Sequence, residues 1–425
     1  MTSGVVPARA DVVIVGGGIA GLSTALFLAR SGVSVAVCEK GAFAGEQSSR
    51  NWGWVRTMGR DPREIPLALA SQRLWEDMEG LVGRDVGFRR SGILYLLDSE
   101  DDVARHEDWM QRVAGFGLDT RIVRADALAA LLPGASRTYP AALYSPGDGR
   151  AEPQHACSAI ASAALASGAT LLADCAVLEI ETAARRVSGV ITEKGRIDAG
   201  TVVVAGGVWS SRLCRSLGVR LPQLGVRASV LRTAPASGGP DGAAWSSEFA
   251  YRRRLDGGYT VAGGLNWHDI VPDSFRFLGD FLPAWQMSRD NLRLRFGAPF
   301  FADLRARSPY TRTRTLDPHP ASPTLDAAFG RFKRAFPALE GIAVAQYWAG
   351  VMDVTPDAVP VISRVPSCPG LVLVTGFSGH GFGIGPGAGR LAADIILGSD
   401  PLVDPHTYRF ERFSDGSRHR PTTGV

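Results

Sequence analysis

An unbroken apolar run, Val12 to Val15, leads straight into Gly16-Gly17-Gly18, after which apolar residues recur at helical spacing to about Arg30. Four apolar residues closed by glycine predict a buried parallel strand, and the periodic stretch predicts a helix lying on it. Gly32 stops the helix, and Val33 to Cys38 predict a second strand ending on Glu39. Farther on, Ile65 to Val82 and Asp101 to Phe116 read as helices around a strand over Phe88 to Leu97, and Asp126 to Leu132 as a short helical turn. Beyond the turn-rich connection Ala142 to Pro153, an alanine-rich helix (His155 to Ser167) precedes short strands over Thr170 to Glu181, Arg186 to Glu193 and Gly195 to Asp198. A β-branched strand from Thr201 then stops at Gly206-Gly207, as strands do where backbone comes close to a ligand. Between Val226 and Phe336 the pattern changes to alternation, with an arginine-rich helical stretch over Asp290 to Phe296 and a proline-rich loop from Ser308 to Pro323. This predicts an antiparallel sheet with helices. A last apolar strand, Leu371 to Thr375, meets the glycine-rich loop Gly376 to Gly385 and a helix through Leu397.

The first strand–turn–helix carries the spacing of a dinucleotide site. Gly16 permits the turn, Gly18 lets backbone approach a pyrophosphate, and Gly21 lets the helix lie close on the strand. Ile19 and Ala20 open the helix, whose free N–H groups and dipole suit phosphate. Glu39, followed by Lys40, falls where a carboxylate accepts hydrogen bonds from ribose hydroxyls and repels a 2′-phosphate, so the ligand is FAD or NAD rather than NADP. Residues from Gly16 to Glu39 resemble the N-terminal signature of FAD-binding oxidoreductases of the glutathione-reductase-like superfamily.

Composition narrows this picture without redirecting it. A chain of 425 residues, 45% hydrophobic and 21% charged, has room for two domains, and a net charge of +4 spread along it does not suggest a nucleic-acid partner. Five scattered cysteines form no metal-ligand spacing and read as buried thiols; no metal is expected. The N-terminus lacks the layout of an export signal, and no apolar run is long enough to cross a bilayer, so a cytoplasmic location is expected. Ser414 to Val425 reads as a loose tail.

Three further segments complete a cofactor site. The loop after Glu39 can carry Ser48 and Ser49 over a pyrophosphate, and the resemblance to FAD-binding oxidoreductases implies that Arg50, Asn51 and Trp52 face the flavin; Trp52 and Trp54 read equally well as core filling. Val177, Ala205, Gly206 and Trp209 stand near the middle of the chain. Gly350 and Met352 precede the late loop, whose Gly379, His380, Gly381, Phe382 and Gly383 open a helix with its positive end toward the reduced flavin's negative edge. His380 reads either as a flavin contact or as a loop-structuring residue. Arg252-Arg253-Arg254 reads as a solvated strand face.

With Asp11–Glu39, Val202–Ser210, Thr355-Pro356-Asp357 and Gly376–Gly383 in hand, the chain resembles the amino-acid and amine oxidoreductase family that includes sarcosine oxidase, glycine oxidase and D-amino-acid dehydrogenase. The resemblance spans nearly the whole chain. It implies an α/β fold, a glutathione-reductase-like Rossmann domain for FAD (1–60, 150–225, 345–412) beside an antiparallel-sheet α+β substrate domain (61–149, 226–344), with 413–425 as a flexible tail. It also implies hydride transfer from an amine or amino acid to flavin N5, and then to dioxygen or another electron acceptor. Relatives place an arginine for the substrate carboxylate after Trp-Ala-Gly, where this chain has Val351-Met352-Asp353. Arg50 and Arg56, with Arg252 behind them, are the candidate anion anchors instead. His380, His268 and Tyr259 are the other candidate catalytic residues, with Tyr251 and Trp267 lining the substrate side. Cysteine and histidine positions used for covalent attachment are Gly350 and the neighbourhood of Asn51 here, so non-covalent FAD is expected. A flavin monooxygenase using NAD(P)H, a non-catalytic FAD-binding protein and an NAD-dependent dehydrogenase are the rival readings, and an oligomer is compatible with all of them.

Overall fold

The computed structural model describes residues 4–297, 309–417 and 421. Two sheets organise them. The first has six strands in the order Val361–Arg364, Leu371–Thr375, Thr201–Val204, Val12–Val15, Val35–Cys38 and Thr170–Leu172. All its neighbours are parallel except the edge strand Val361–Arg364, which runs antiparallel to Leu371–Thr375. Both faces are covered, which explains why these strands are apolar throughout rather than alternating. On one face lie the helices Ile19–Arg30, Pro153–Ala166 and Gly381–Leu397. The other face meets a three-stranded sheet, Val177–Ala183, Arg186–Thr192 and Gly195–Asp198, through Ile180, Val190 and Ile197. The first and last of the three helices touch through small residues, since a Cβ on Gly389 would stand 2.4 Å from Cβ of Ser23.

The second sheet has ten strands and is mainly antiparallel. Its spine is Leu224–Thr233, which pairs along its length with Val344–Val354 and also with Tyr259–Ala262 and Asn266–Asp269. Ala250–Arg253, Ala243–Trp245, Ile93–Leu97, Ala141–Ser145 and Arg121–Val123 continue it outward. Helix Ser322–Ala335 buries Leu325, Phe329 and Phe332 against Leu231, Tyr251, Tyr259 and Val261 of this sheet.

Several elements differ from the sequence expectation. Asp290–Phe296 is not helical: Leu292–Arg295 is a strand running parallel to Asn266–Asp269. Its Leu-Arg-Leu-Arg order has the period of a strand, and Arg295 bonds Asp269 across the pair at 2.5 Å. The stretch Thr170 to Glu181 divides at Asp174, whose φ is 47°, sending its two halves into different sheets. Ile65–Glu76 and Met78–Val82 form two helices where one was expected. Within the proline-rich loop, Pro309–Arg312 makes one helical turn, and Ser308 lies outside the described residues. Of the expected tail, 414–417 folds back through an Arg409–Asp415 ion pair, while 418–420 and 422–425 lie outside the described residues. Among the described residues no helix is long and apolar enough to cross a membrane.

Candidate functional site

Between the two sheets runs one cavity of about 1160 Å³, whose ends differ in construction. At the first end the wall is backbone. Gly16, with φ of +110°, lies so close to the next strand that a Cβ would stand 2.4 Å from the Ala205 carbonyl oxygen. Gly21 is equally constrained, its Cβ position being 2.2 Å from the Gly16 carbonyl, which is the close helix–strand packing its spacing predicts. Gly21 itself is buried behind the wall. Gly18, Ile19, Ala20, Val177, Ala205 and Gly206 line this end of the cavity. Ser48 accepts the Ile19 N–H at 2.9 Å and so sits at the helix N-terminus.

Glu39 accepts N–H bonds from Gly17 and Gly41, both at 2.8 Å. Burial raises its pKa, and the two amide bonds oppose that rise. Lys40 donates to Glu46 and to the Thr313 and Arg314 carbonyls, and its ammonium lies 4.6 Å from the Trp209 ring centre. Trp209 in turn donates to Glu46 at 3.1 Å. Ser49 points away, donating to the Glu46 carbonyl, and lines a smaller neighbouring cavity. Asn51 folds the loop on itself, donating to the Ser48 carbonyl and accepting from Gly53 N–H.

In the middle, three segments converge. Arg50 is tied to Asp317 and to the Gly45 and Ala349 carbonyls, and a Cβ on Gly350 would come 3.1 Å from its own Cβ. Met352 packs under Gly379, whose Cβ position is 2.9 Å from its Sδ. Gly381, Phe382 and Gly383 begin the last helix, and the Gly383 carbonyl accepts from Ser71 and Trp75, both at 2.8 Å. Asp353, missed in the sequence, anchors this convergence: it accepts from Gly376 N–H at 2.6 Å, Thr375 at 3.0 Å and Gln223 at 3.2 Å. Burial pushes its pKa up to about 6 despite those bonds.

The far end is aromatic. Trp54 packs edge-on to Trp52 and lies 6.5 Å from Tyr95, which also contacts His106 and Trp245 at 5.8 and 5.5 Å between ring centres. Arg56 lies over the Tyr95 ring and donates to the Met58 carbonyl; its remaining N–H groups have no partner among the described residues. Burial, then the Arg105 charge, lowers the His106 pKa. Nothing in the sequence flagged Tyr95 or Trp245. They become neighbours because strands 150 residues apart pair in register, Trp245 opposite Tyr95.

Five candidates lie elsewhere. Tyr259 is fully buried in an aromatic cluster with Tyr251 and Phe332, and its hydroxyl donates to the Pro240 carbonyl at 2.9 Å. Alternation put it on the strand face that packs on a helix, not on the face toward the cavity. His268 has both nitrogens engaged, Nδ1 with the Gly225 carbonyl and Nε2 with Ser274. Arg252, read as part of a solvated face, is 1% exposed and forms two bonds to the buried Glu152 carboxylate; it lines the smaller cavity. Tyr251 is likewise core, and Trp267 stacks beside Arg227 away from the main cavity.

A glycine cradle that any side chain would fill, an acid held at the end of the second strand and a cavity spanning both sheets together fit an extended dinucleotide. The model of the family described as FAD dependent oxidoreductase matches residues 11–395. The chain belongs to that family. FAD is the family's cofactor, and the cradle suits it. Mouse sarcosine dehydrogenase is 26% identical over 96% of this chain, which spans only 42% of that protein's length. Glycine oxidase of Pseudomonas putida is 27% identical, covering 94% of this chain and 97% of its own. Among solved structures, L-amino acid deaminase from Proteus myxofaciens in complex with anthranilate superposes with a TM-score of 0.93 at 34% identity, over 97% of this chain and 96% of the other.

Proposed function

We propose that the protein oxidises the C–N bond of an amino acid or N-substituted amino acid, with FAD held non-covalently along the cavity. The observation that carries this reading is the continuity of the cavity from the Gly16–Gly18 cradle, past Gly379–Gly383, to an aromatic cage with a guanidinium that has no carboxylate partner among the described residues. The ADP portion is assigned to the glycine end and the ring system to the convergence of Arg50–Trp54, Gly350–Met352 and His380–Gly383. On this reading the FAD module is 1–60, 150–225 and 345–412, and the substrate side is 61–149 and 226–344. FAD held there would supply the hydride acceptor for the carbon next to nitrogen, leaving an imine open to hydrolysis.

The chain's own residues bind and orient. Arg56, with donors to spare, is the anchor for a substrate carboxylate; Arg50 is committed to Asp317 and two carbonyls. Trp54, Tyr95 and Trp245 exclude water and favour an apolar or aromatic substituent. The N-terminus of helix Gly381–Leu397 adds a positive dipole where negative charge develops. Among the described residues Lys40 binds Glu46, Lys194 binds the Ala173 carbonyl and Lys333 lies over Phe329, so no lysine serves the ring end. This favours a dehydrogenase, or a slow oxidase, over a fast oxidase. The test is anaerobic mixing of the yellow protein with primary amino acids, N-alkyl amino acids and imino acids. Loss of flavin colour with one class is expected; colour that persists with all three, or bleaches with NAD(P)H alone, refutes the reading.

A further inference from the structure

Behind the ring end of the cavity lies a charged cluster that the reaction as described does not use. His380 caps the last helix, lines the cavity and has a side chain only 10% exposed. Its Nδ1 lies 3.1 Å from Oε2 of Glu64, a carboxylate 1% exposed. Arg60, 2% exposed, places Nη1 3.9 Å from the same oxygen and donates from Nε to the Arg56 carbonyl. Arg60 Nη1 and Glu64 Oε1 are both buried without a hydrogen-bond partner among the described residues. A buried carboxylate is stable beside a fixed cation and a donor, and Arg60 with the Nδ1–H of His380 supplies both.

This arrangement decides which nitrogen of His380 carries the proton. A carboxylate only accepts, so Nδ1 must be the donor, and in a neutral ring Nε2 is then the acceptor. Burial first, and then the charge of Arg60, pushes the His380 pKa down to about 4, with Glu64 opposing and Arg56 adding to the depression. The ring is therefore neutral at neutral pH. Nε2 has no partner among the described residues.

We propose that Glu64 is a positioning residue for the amine end of the substrate: it locks His380 in the Nδ1–H tautomer, so that Nε2 accepts a hydrogen bond from the substrate N–H. The inference rests on the amine-oxidation reading above. The neutral amine is the form that loses hydride, and the Arg60 and Arg56 charges that disfavour imidazolium also disfavour ammonium beside it. Accepting one N–H fixes the direction of the nitrogen lone pair, and with it the C–H aimed at the ring.

The test uses holoprotein labelled with 15N-histidine. Long-range proton–nitrogen spectra report each tautomer, and His380 is identified by the signal lost in H380N. Nδ1–H is expected in the wild type, and a shift toward Nε2–H is expected in E64Q, whose amide can donate to Nδ1. E64D, which keeps the charge, should retain the wild-type tautomer, and it is the variant to use if E64Q loses its flavin. With the amine that bleaches the wild type, anaerobic flavin reduction should slow about 10–100-fold in E64Q and in H380N, and the double variant should be no slower than H380N. An Nε2–H tautomer in the wild type overturns the inference, as does an E64Q protein reduced at the wild-type rate; the functional reading survives both results. A wild type that no amine bleaches overturns both.

Discussion

The two ends of the cavity are built on opposite principles. At the glycine end the wall is main chain, contributed by strand ends and one helix start within a sheet buried on both faces. At the aromatic end the wall is large side chains, brought by strands of an antiparallel sheet and by the segment Trp52–Arg60. A backbone wall tolerates no added atom; a side-chain wall tolerates many shapes but depends on which charges remain unpaired. On the proposed function, the first end takes the cofactor and the second a substrate chosen by its substituents.

If that contrast holds, adding one side chain should do most damage at the glycine end. Gly16→Val places atoms about where the Ala205 carbonyl stands, at a φ that a β-branched residue rarely adopts. The purified variant is expected to be colourless, read as flavin absorbance per protein, with circular dichroism confirming that the sheet survives. A yellow variant would break the comparison.

The middle of the cavity sharpens it through pH. His380 has a folded-state pKa of about 4 against an ordinary value of 6.5. Between these values the unfolded chain binds the extra proton, so wild-type stability falls as pH drops from 6.5 toward 4 and gains nothing from this group above 6.5. The loss is about 3 kcal/mol at full effect, from 1.36 kcal/mol per pKa unit. Urea unfolding of wild type and His380→Asn should give a stability difference that changes over that window and is constant above it. A difference flat from pH 4 to 7 would place the imidazole in water.

At the aromatic end, removing a charge should weaken the substrate and spare the cofactor. Arg56→Ala is expected to raise the substrate dissociation constant about 10–100-fold, as for loss of charge-assisted hydrogen bonds of about 1.5–3 kcal/mol, with flavin content unchanged. Titrating the flavin spectrum with substrate under anaerobic conditions measures it. Equal binding would move the anchor elsewhere.

The smallest effect is expected at Tyr259, which belongs to neither end. Tyr259→Phe loses the bond to the Pro240 carbonyl, costing about 1 kcal/mol of stability in urea unfolding and leaving reduction kinetics unchanged. A slowed reduction would return this residue to the site.

What the amino-acid order alone determined is the part governed by local geometry. Gly16, Gly18, Gly21 and Glu39 are legible because a turn, a close approach and a strand end each need a particular residue at a fixed offset, whatever surrounds them. The same holds for the loop before the helix at Gly381. Tertiary structure alone decided that Tyr95 meets Trp245, that Asp353 gathers three segments, and that Glu64 reaches His380 across 316 residues. It also decided that Tyr259 and Arg252 turn toward core partners. A strand shows two faces with equal probability in its sequence, and a charge does not announce its counter-ion; only the pairing of distant strands fixes which side chain faces the cavity and which guanidinium is left free.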